Sequence, residues 1–92
     1  PQAAGRQRCQ ISQVPEALTT PDPLLESTEL LKVTISFIVG TDGRVHSAYI
    51  VESGGWKEDR AVLQTVRAWR YRPAMCNGIP TEAEGRIQFS IR

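Results

Sequence analysis

From Asp59 to Ala74 the chain reads Asp-Arg-Ala-Val-Leu-Gln-Thr-Val-Arg-Ala-Trp-Arg-Tyr-Arg-Pro-Ala, and this run restricts the fold more than any other. Val62, Val66 and Trp69 recur at helical spacing with Leu63 beside them, so one stripe can face a core. Arg60 and Arg67 then read as the solvated face, and Arg70 complements the negative end of the helix dipole. Asp59 stands near the start, where a carboxylate is favoured for the opposite reason. Pro73 should end the helix, because the residue before a proline avoids helical backbone and proline has no N–H to donate.

Around this long central helix the chain alternates at strand period. Val33, Ile35, Phe37 and Val39 take turns with Thr34, Ser36 and Ile38, a half-buried strand rich in β-branched residues. Gly40 to Gly43 supplies a reversal, with Asp42-Gly43 offering positive-φ positions. A second strand runs from Arg44 to Glu52, where Val45 lies out of step with Ala48 and Ile50. A β-bulge near His46-Ser47 reconciles its halves. Ser53-Gly54-Gly55 breaks it. After Pro73 comes a loop with a turn at Asn77-Gly78. Thr81, Ala83, Gly85, Ile87, Phe89 and Ile91 then alternate with polar residues, so Ile87, Phe89 and Ile91 should point inward. Upstream, Pro21-Asp22-Pro23 offers a helix start, with Thr20 or Asp22 as cap, and a short helix is expected over about Pro23 to Glu29. Residues 1–8 read as the end of a linker, and Cys9 to Thr20 is too sparse in apolar residues to assign. The expected fold is α+β. A three-stranded antiparallel sheet is packed on one face by two helices, short N-terminal and long central. Residues 1–20 form a linker end and N-terminal extension, and residues 21–92 form the domain.

A chain of 92 residues makes one domain, and its core is small, since such chains bury only about 60–65% of their unfolded surface. A net charge of +1 gives no general attraction to nucleic acid or anionic lipid. The longest strongly apolar stretch, Val33 to Val39, is far short of a membrane span. The chain opens at Pro1 rather than methionine, as expected of a fragment or processed product, so a leader or anchor would lie upstream. Cys9 and Cys76 suit a disulfide in an oxidising compartment and equally two thiols in a reducing one. If bridged, they close a loop of about 68 residues that stabilises the fold by roughly 4 kcal/mol in the chain-entropy model.

No nucleophile, base and orienting group assemble into a catalytic set, so an enzyme is not expected. His46 is the sole histidine, too few for a zinc site, and reads as a surface or bulge residue. No phosphate loop or cofactor motif is present. Arg60, Arg67, Arg70 and Arg72 beside Trp69 raise the question of nucleic acid, but a solvated helix face explains them more simply. Trp69 and Tyr71 are core aromatics, whereas Trp56, after two glycines, is divided between a core lid and a partner contact. The final strand carries the functional physics. A strand at the end of a small sheet leaves backbone donors and acceptors unpaired, and such an edge can take up an extended peptide. Arg86, Gln88 and Arg92 would flank the added strand; the same charges could instead protect the edge.

A basic amphipathic helix ending in Trp69-Arg70-Tyr71-x-Pro73, then Asn77-Gly78 and an alternating strand, resembles the TonB C-terminal domain family. The resemblance takes in Asp42-Gly43-Arg44-Val45 and Glu52-Ser53-Gly54-Gly55, and spans about Val33 to Arg92. Pro21 also stands where that family has Tyr-Pro, although Thr20 and Leu31 replace its aromatic and its glycine. The resemblance implies a non-enzymatic periplasmic module that binds the TonB box of an outer-membrane receptor by β-strand addition. By position, Glu84, Gly85, Arg86, Ile87, Gln88 and Phe89 would be the box-pairing segment. It implies an N-terminal membrane helix and Pro-rich spacer upstream, assembled with an inner-membrane proton-channel complex of the ExbB/ExbD type. That complex supplies energy for uptake of siderophores, haem or vitamins. The implied envelope location favours the Cys9–Cys76 disulfide. The alternative is a structural envelope domain of the same fold that docks a partner without transducing force. An exposed edge also invites strand exchange between two copies as a homodimer.

Overall fold

The computed structural model describes residues 9–25 and 31–91. Ser12–Gln13 (β1), Glu16–Thr19 (β2), Leu31–Val39 (β3) and Val45–Glu52 (β4) precede the single helix found among the described residues, Trp56–Arg67 (α1). Arg70–Arg72 (β5), Ala74–Cys76 (β6), Ile79–Thr81 (β7) and Ala83–Ile91 (β8) follow. The main sheet has the expected three antiparallel strands in the order β4-β3-β8. Two small sheets, β1-β6-β7 and β2-β5, add to it.

The core forms where the period-two and period-3.6 patterns meet. Val33, Ile35, Phe37 and Val39 of β3 are at most 2% exposed, and Val62 and Val66 of α1 close over them. Ile87 and Phe89 lie opposite Ile35 and Val33 and extend the same apolar layer. On the opposite face Thr34 and Ser36 are also buried, though polar. The Thr34 hydroxyl is satisfied by donating to Glu52 at 3.0 Å, and the flanking strands bring Tyr49 and Arg86 level with Ser36.

The helix differs from expectation at both ends. It begins at Trp56, after Gly55 as N-cap, and the Asp59 carboxylate reaches back to the Ser53 hydroxyl and the Gly54 N–H. It ends at Arg67, six residues before Pro73. The Ala68 and Trp69 N–H groups turn back to the Thr65 and Val66 carbonyls, tightening the last turn. Trp69-Arg70-Tyr71-Arg72 is itself a period-two sequence. Leaving the helix buries Trp69, half-buries Tyr71 and sends both arginines to water. Arg70–Arg72 then pairs with β2, and Arg44 bridges to Arg70.

Pro23–Leu25, expected to open an N-terminal helix, carry no regular structure, and the rest of that expected helix lies outside the described residues. A helix capped at Thr20 would turn the Pro21 carbonyl toward residue 25. Here that carbonyl accepts the Trp69 indole N–H at 2.8 Å instead. The unassigned stretch upstream becomes β1 and β2. Cys9 is bridged to Cys76, and the Asn77 side-chain oxygen accepts from the Gln10 and Ile11 N–H groups at 2.9 and 3.0 Å. Asn77 and Gly78, with φ of 54° and 82°, form the two-residue turn from β6 to β7.

The β3–β4 hairpin turns as expected, with one refinement. Gly43 alone has positive φ, at 79°, and a Cβ there would collide with the Tyr71 carbonyl. Asp42 contributes its carboxylate, which accepts from the Arg44 N–H at 2.9 Å and lies 3.1 Å from His46 Nε2. The Arg44 N–H first and the His46 ring second hold the Asp42 carboxyl below its ordinary range, so this support is lost as pH falls through the lowered value. The expected bulge is present. Pairing jumps from Ser36↔Tyr49 to Ile38↔His46, and Ser47 adopts φ 52°.

Trp69 packs edge-on to Phe37, Tyr71 and Phe89, with centroids 6.0, 6.3 and 6.1 Å away. Trp69→Ala should therefore cost about 3–5 kcal/mol in urea unfolding, enough to leave so small a domain largely unfolded. Trp69→Phe, which leaves the Pro21 carbonyl without its donor but keeps a ring, should cost less, about 1–3 kcal/mol.

Candidate functional site: the free edge of the last strand

The central strand β3 uses both of its edges, so among the described residues β4 and β8 each leave one edge open. The two are not equivalent. Along β4 the pairing with β3 shifts twice, between Ser36 and Ile38 and again between Thr34 and Ile35. Each bulge bends and twists the strand, which is how natural sheets spoil an edge for further pairing. In β8 the register runs without a break from Leu31↔Ile91 to Val39↔Ala83. Among the described residues no strand pairs with its far side. It is a straight row of backbone donors and acceptors, the geometry that an extended chain can join.

Six positions singled out from the sequence fall together in this strand. Gly85, Ile87 and Phe89 turn half-buried toward the core, while Glu84, Arg86 and Gln88 stand exposed on the other face. Gly85 lies opposite Phe37, and a Cβ there would come 2.6 Å from the ring atoms Cε2 and Cζ. The ring lies across the glycine, so the middle of the edge strand is seated on the aromatic cluster. Phe89 meets Trp69, which anchors the strand further along.

The exposed side chains do not all serve the edge. The Gln88 amide turns back across the sheet, 3.4 Å from the Thr34 hydroxyl and 3.5 Å from a Glu52 carboxylate oxygen. It therefore also ties β8 to β3 and β4. This role of Thr34 and Glu52 leaves no signal in the sequence, since a Thr–Glu–Gln bridge across three strands becomes visible only with the register. Arg92 lies outside the described residues. At the start of β8 a surface groove of about 480 Å³ opens between Ile38, Thr41 and residues 80–84, with Glu82 and Glu84 in its wall. Trp56 is 71% exposed at the head of α1 with the Lys57 ammonium 5.8 Å from its ring centre, so it is no core lid.

No cluster of three or more His, Cys, Asp or Glu side chains able to hold a metal occurs among the described residues. No described helix is long and apolar enough to cross a membrane.

Substitutions along β8 should split by face. Gly85→Val drives a side chain into the Phe37 ring and should cost about 1–3 kcal/mol in thermal or urea unfolding. Arg86→Ala on the open face should stay within about 0.5 kcal/mol.

The family described as Gram-negative bacterial TonB protein C-terminal matches residues 32–91. No curated protein matches the chain. The solution NMR structure of the Pseudomonas aeruginosa TonB C-terminal domain is similar in fold, with a TM-score of 0.70 and 21% identity over 85% of each chain. The chain belongs to the TonB C-terminal domain family.

Proposed function

We propose that this TonB C-terminal domain is the periplasmic, receptor-binding part of a TonB-type energy transducer. It takes up the TonB box of an outer-membrane receptor as an added strand along Glu84 to Phe89. It is a binding module without catalytic chemistry. Upstream, a membrane helix and spacer tie it to an inner-membrane proton-channel complex of the ExbB/ExbD type, so that energy from the proton gradient reaches the receptor and drives nutrient uptake. The domain proper is residues 21–92, with residues 1–20 as the end of the spacer and an extension laid against it.

The single observation that carries this reading is the inequality of the two sheet edges. β8 keeps one register over its whole length, whereas β4 is interrupted twice. An added strand gains backbone hydrogen bonds only where the acceptor strand is regular, so β8 is the competent edge. Side chains then select. On the open face Glu84 and Arg86 present opposite charges to an incoming strand, with cross-strand pairs worth about 0.2–1 kcal/mol each. The groove beside Glu82 and Glu84 can receive a side chain where that strand runs past the start of β8.

Amide shift mapping with a synthetic box peptide tests the site. Perturbations should centre on Glu84 to Phe89. If they are confined to the Asp42-Gly43 hairpin or the Arg60 to Arg67 helix face, the site is refuted and a structural envelope role is favoured. Gln88→Ala should weaken binding by no more than about threefold, since the backbone supplies much of the affinity. Gln88→Pro, once shown to be folded, should weaken it tenfold or more, because proline removes an N–H and disturbs strand geometry. N-methylation of the peptide gives a readout free of folding effects. Methyl groups on alternate residues of one parity should abolish binding, and those of the other parity should be tolerated, as strand pairing requires.

A further inference from the structure

The disulfide joins two places whose connection matters mechanically. Cys9 lies at the N-terminal side of the domain, before β1, and Cys76 closes β6, with residues 77–82 between it and the start of β8 at Ala83. Everything between them, including β3, β4 and α1, sits inside one covalent ring spanning a sequence separation of 67. We propose that Cys9–Cys76 is a force-bearing link that carries tension from the N-terminal side straight to the box-binding strand and leaves the core unloaded. This rests on the function proposed above only in that tension arrives from the N-terminal side and leaves through β8.

The two routes through the fold differ sharply. Without the bridge, tension entering before Cys9 falls first on β1, paired to β6 over only Ser12 and Gln13. It then falls on the four-residue β2, whose pairing with β5 already slips between Ala17 and Thr19. Such short ladders peel one bond at a time. The load next reaches Pro21, whose carbonyl holds the Trp69 indole, and then β3, the central strand on which both β4 and β8 depend. Pulling along that route would dismantle the sheet that must grip the receptor.

With the bridge, tension passes from Cys9 through the sulfur–sulfur bond to Cys76 and along residues 77–82 into β8. The entry point is braced. The Asn77 side chain accepts from Gln10 and Ile11, and the Asn77 N–H donates to the Ile11 carbonyl at 2.8 Å. The two chain segments on either side of the disulfide are thereby held together next to it. A covalent bond does not fray, so the peptide on β8 becomes the weakest element in the path.

Force spectroscopy on the domain with handles at Pro1 and Arg92 tests the ring by itself, without any peptide. Only residues 1–8 and 77–92 lie outside it. The oxidised domain should therefore extend by no more than roughly 80–90 Å even when fully unfolded, against about 300 Å after reduction. A tether from the N-terminal handle to a box peptide bound on β8 tests the route. In the oxidised domain the peptide should leave in one step, preceded by at most about 25 Å of lengthening from the β6–β7 hairpin. In the reduced domain, or in Cys9→Ser/Cys76→Ser, lengthening well beyond that should come first. Equal lengthening before release in both forms overturns the proposal. Should the reduced domain fail to hold its fold, the oxidised domain decides alone: a tether that gains clearly more than the roughly 25 Å of the β6–β7 hairpin before release overturns it. Failure of the peptide to bind at all shows itself in the shift titration, and so is told apart from a failure of the link.

Discussion

Trp69 is where the separate parts of this domain become one. It leaves the end of α1, meets Phe37 of the central strand and Phe89 of the edge strand, and gives its indole N–H to Pro21 in the segment that precedes the sheet. A buried indole carries large apolar area but also a donor that must be satisfied. Both demands are met from elements far apart in sequence, so the position of Trp69 sets the angle of the helix, the exit of β5 and the course of the N-terminal segment together. The small core tolerates little else. With two valines from α1 and four residues from β3 as its buried heart, it has no second layer to take over the aromatic cluster's role.

From that centre follows the inequality of the sheet edges. Phe37 faces Gly85 on one side, where the missing side chain leaves room for the ring. On the other side Phe37 falls in the gap between Tyr49 and His46, where β4 bulges around it. At the level of Phe37 the central strand thus meets a residue without a side chain in β8 and an extra residue in β4. The first solution leaves the strand regular and able to pair again; the second does not.

Much of this was legible from the residues because it depends on local pattern. The inward sets of β3 and β8, the Gly40 to Gly43 reversal, the Asn77-Gly78 turn and the bulge at His46-Ser47 each follow from periodicity or turn chemistry within a few positions. The end of α1 was misplaced because Pro73 sets only the latest possible stop, while Trp69-Arg70-Tyr71-Arg72 carried a competing period-two signal that the helical stripe obscured. β1, β2 and β5 to β7 have two to four residues each, too few for any period to show, and they exist through pairing with distant segments. The cross-sheet contacts of Gln88 were hidden for a related reason. Its amide could turn outward to a partner or inward to Thr34 and Glu52, and only the register of three strands decides between them.

The N-terminal segment is held by other means than the core. Residues 9–20 have little apolar content with which to dock, and Ile11, Val14 and Leu18 remain largely exposed. What holds the segment is directional and covalent: the disulfide, the Asn77 bonds, two short ladders and the Pro21 carbonyl. Hydrophobic burial resists pulling poorly when it is thin and local, since it can be peeled residue by residue. A covalent bond placed ahead of the edge strand does not share that weakness. On the proposed route a domain with so small a core keeps its edge strand in register without enlarging the core, provided the load enters at Cys76 and not at β3.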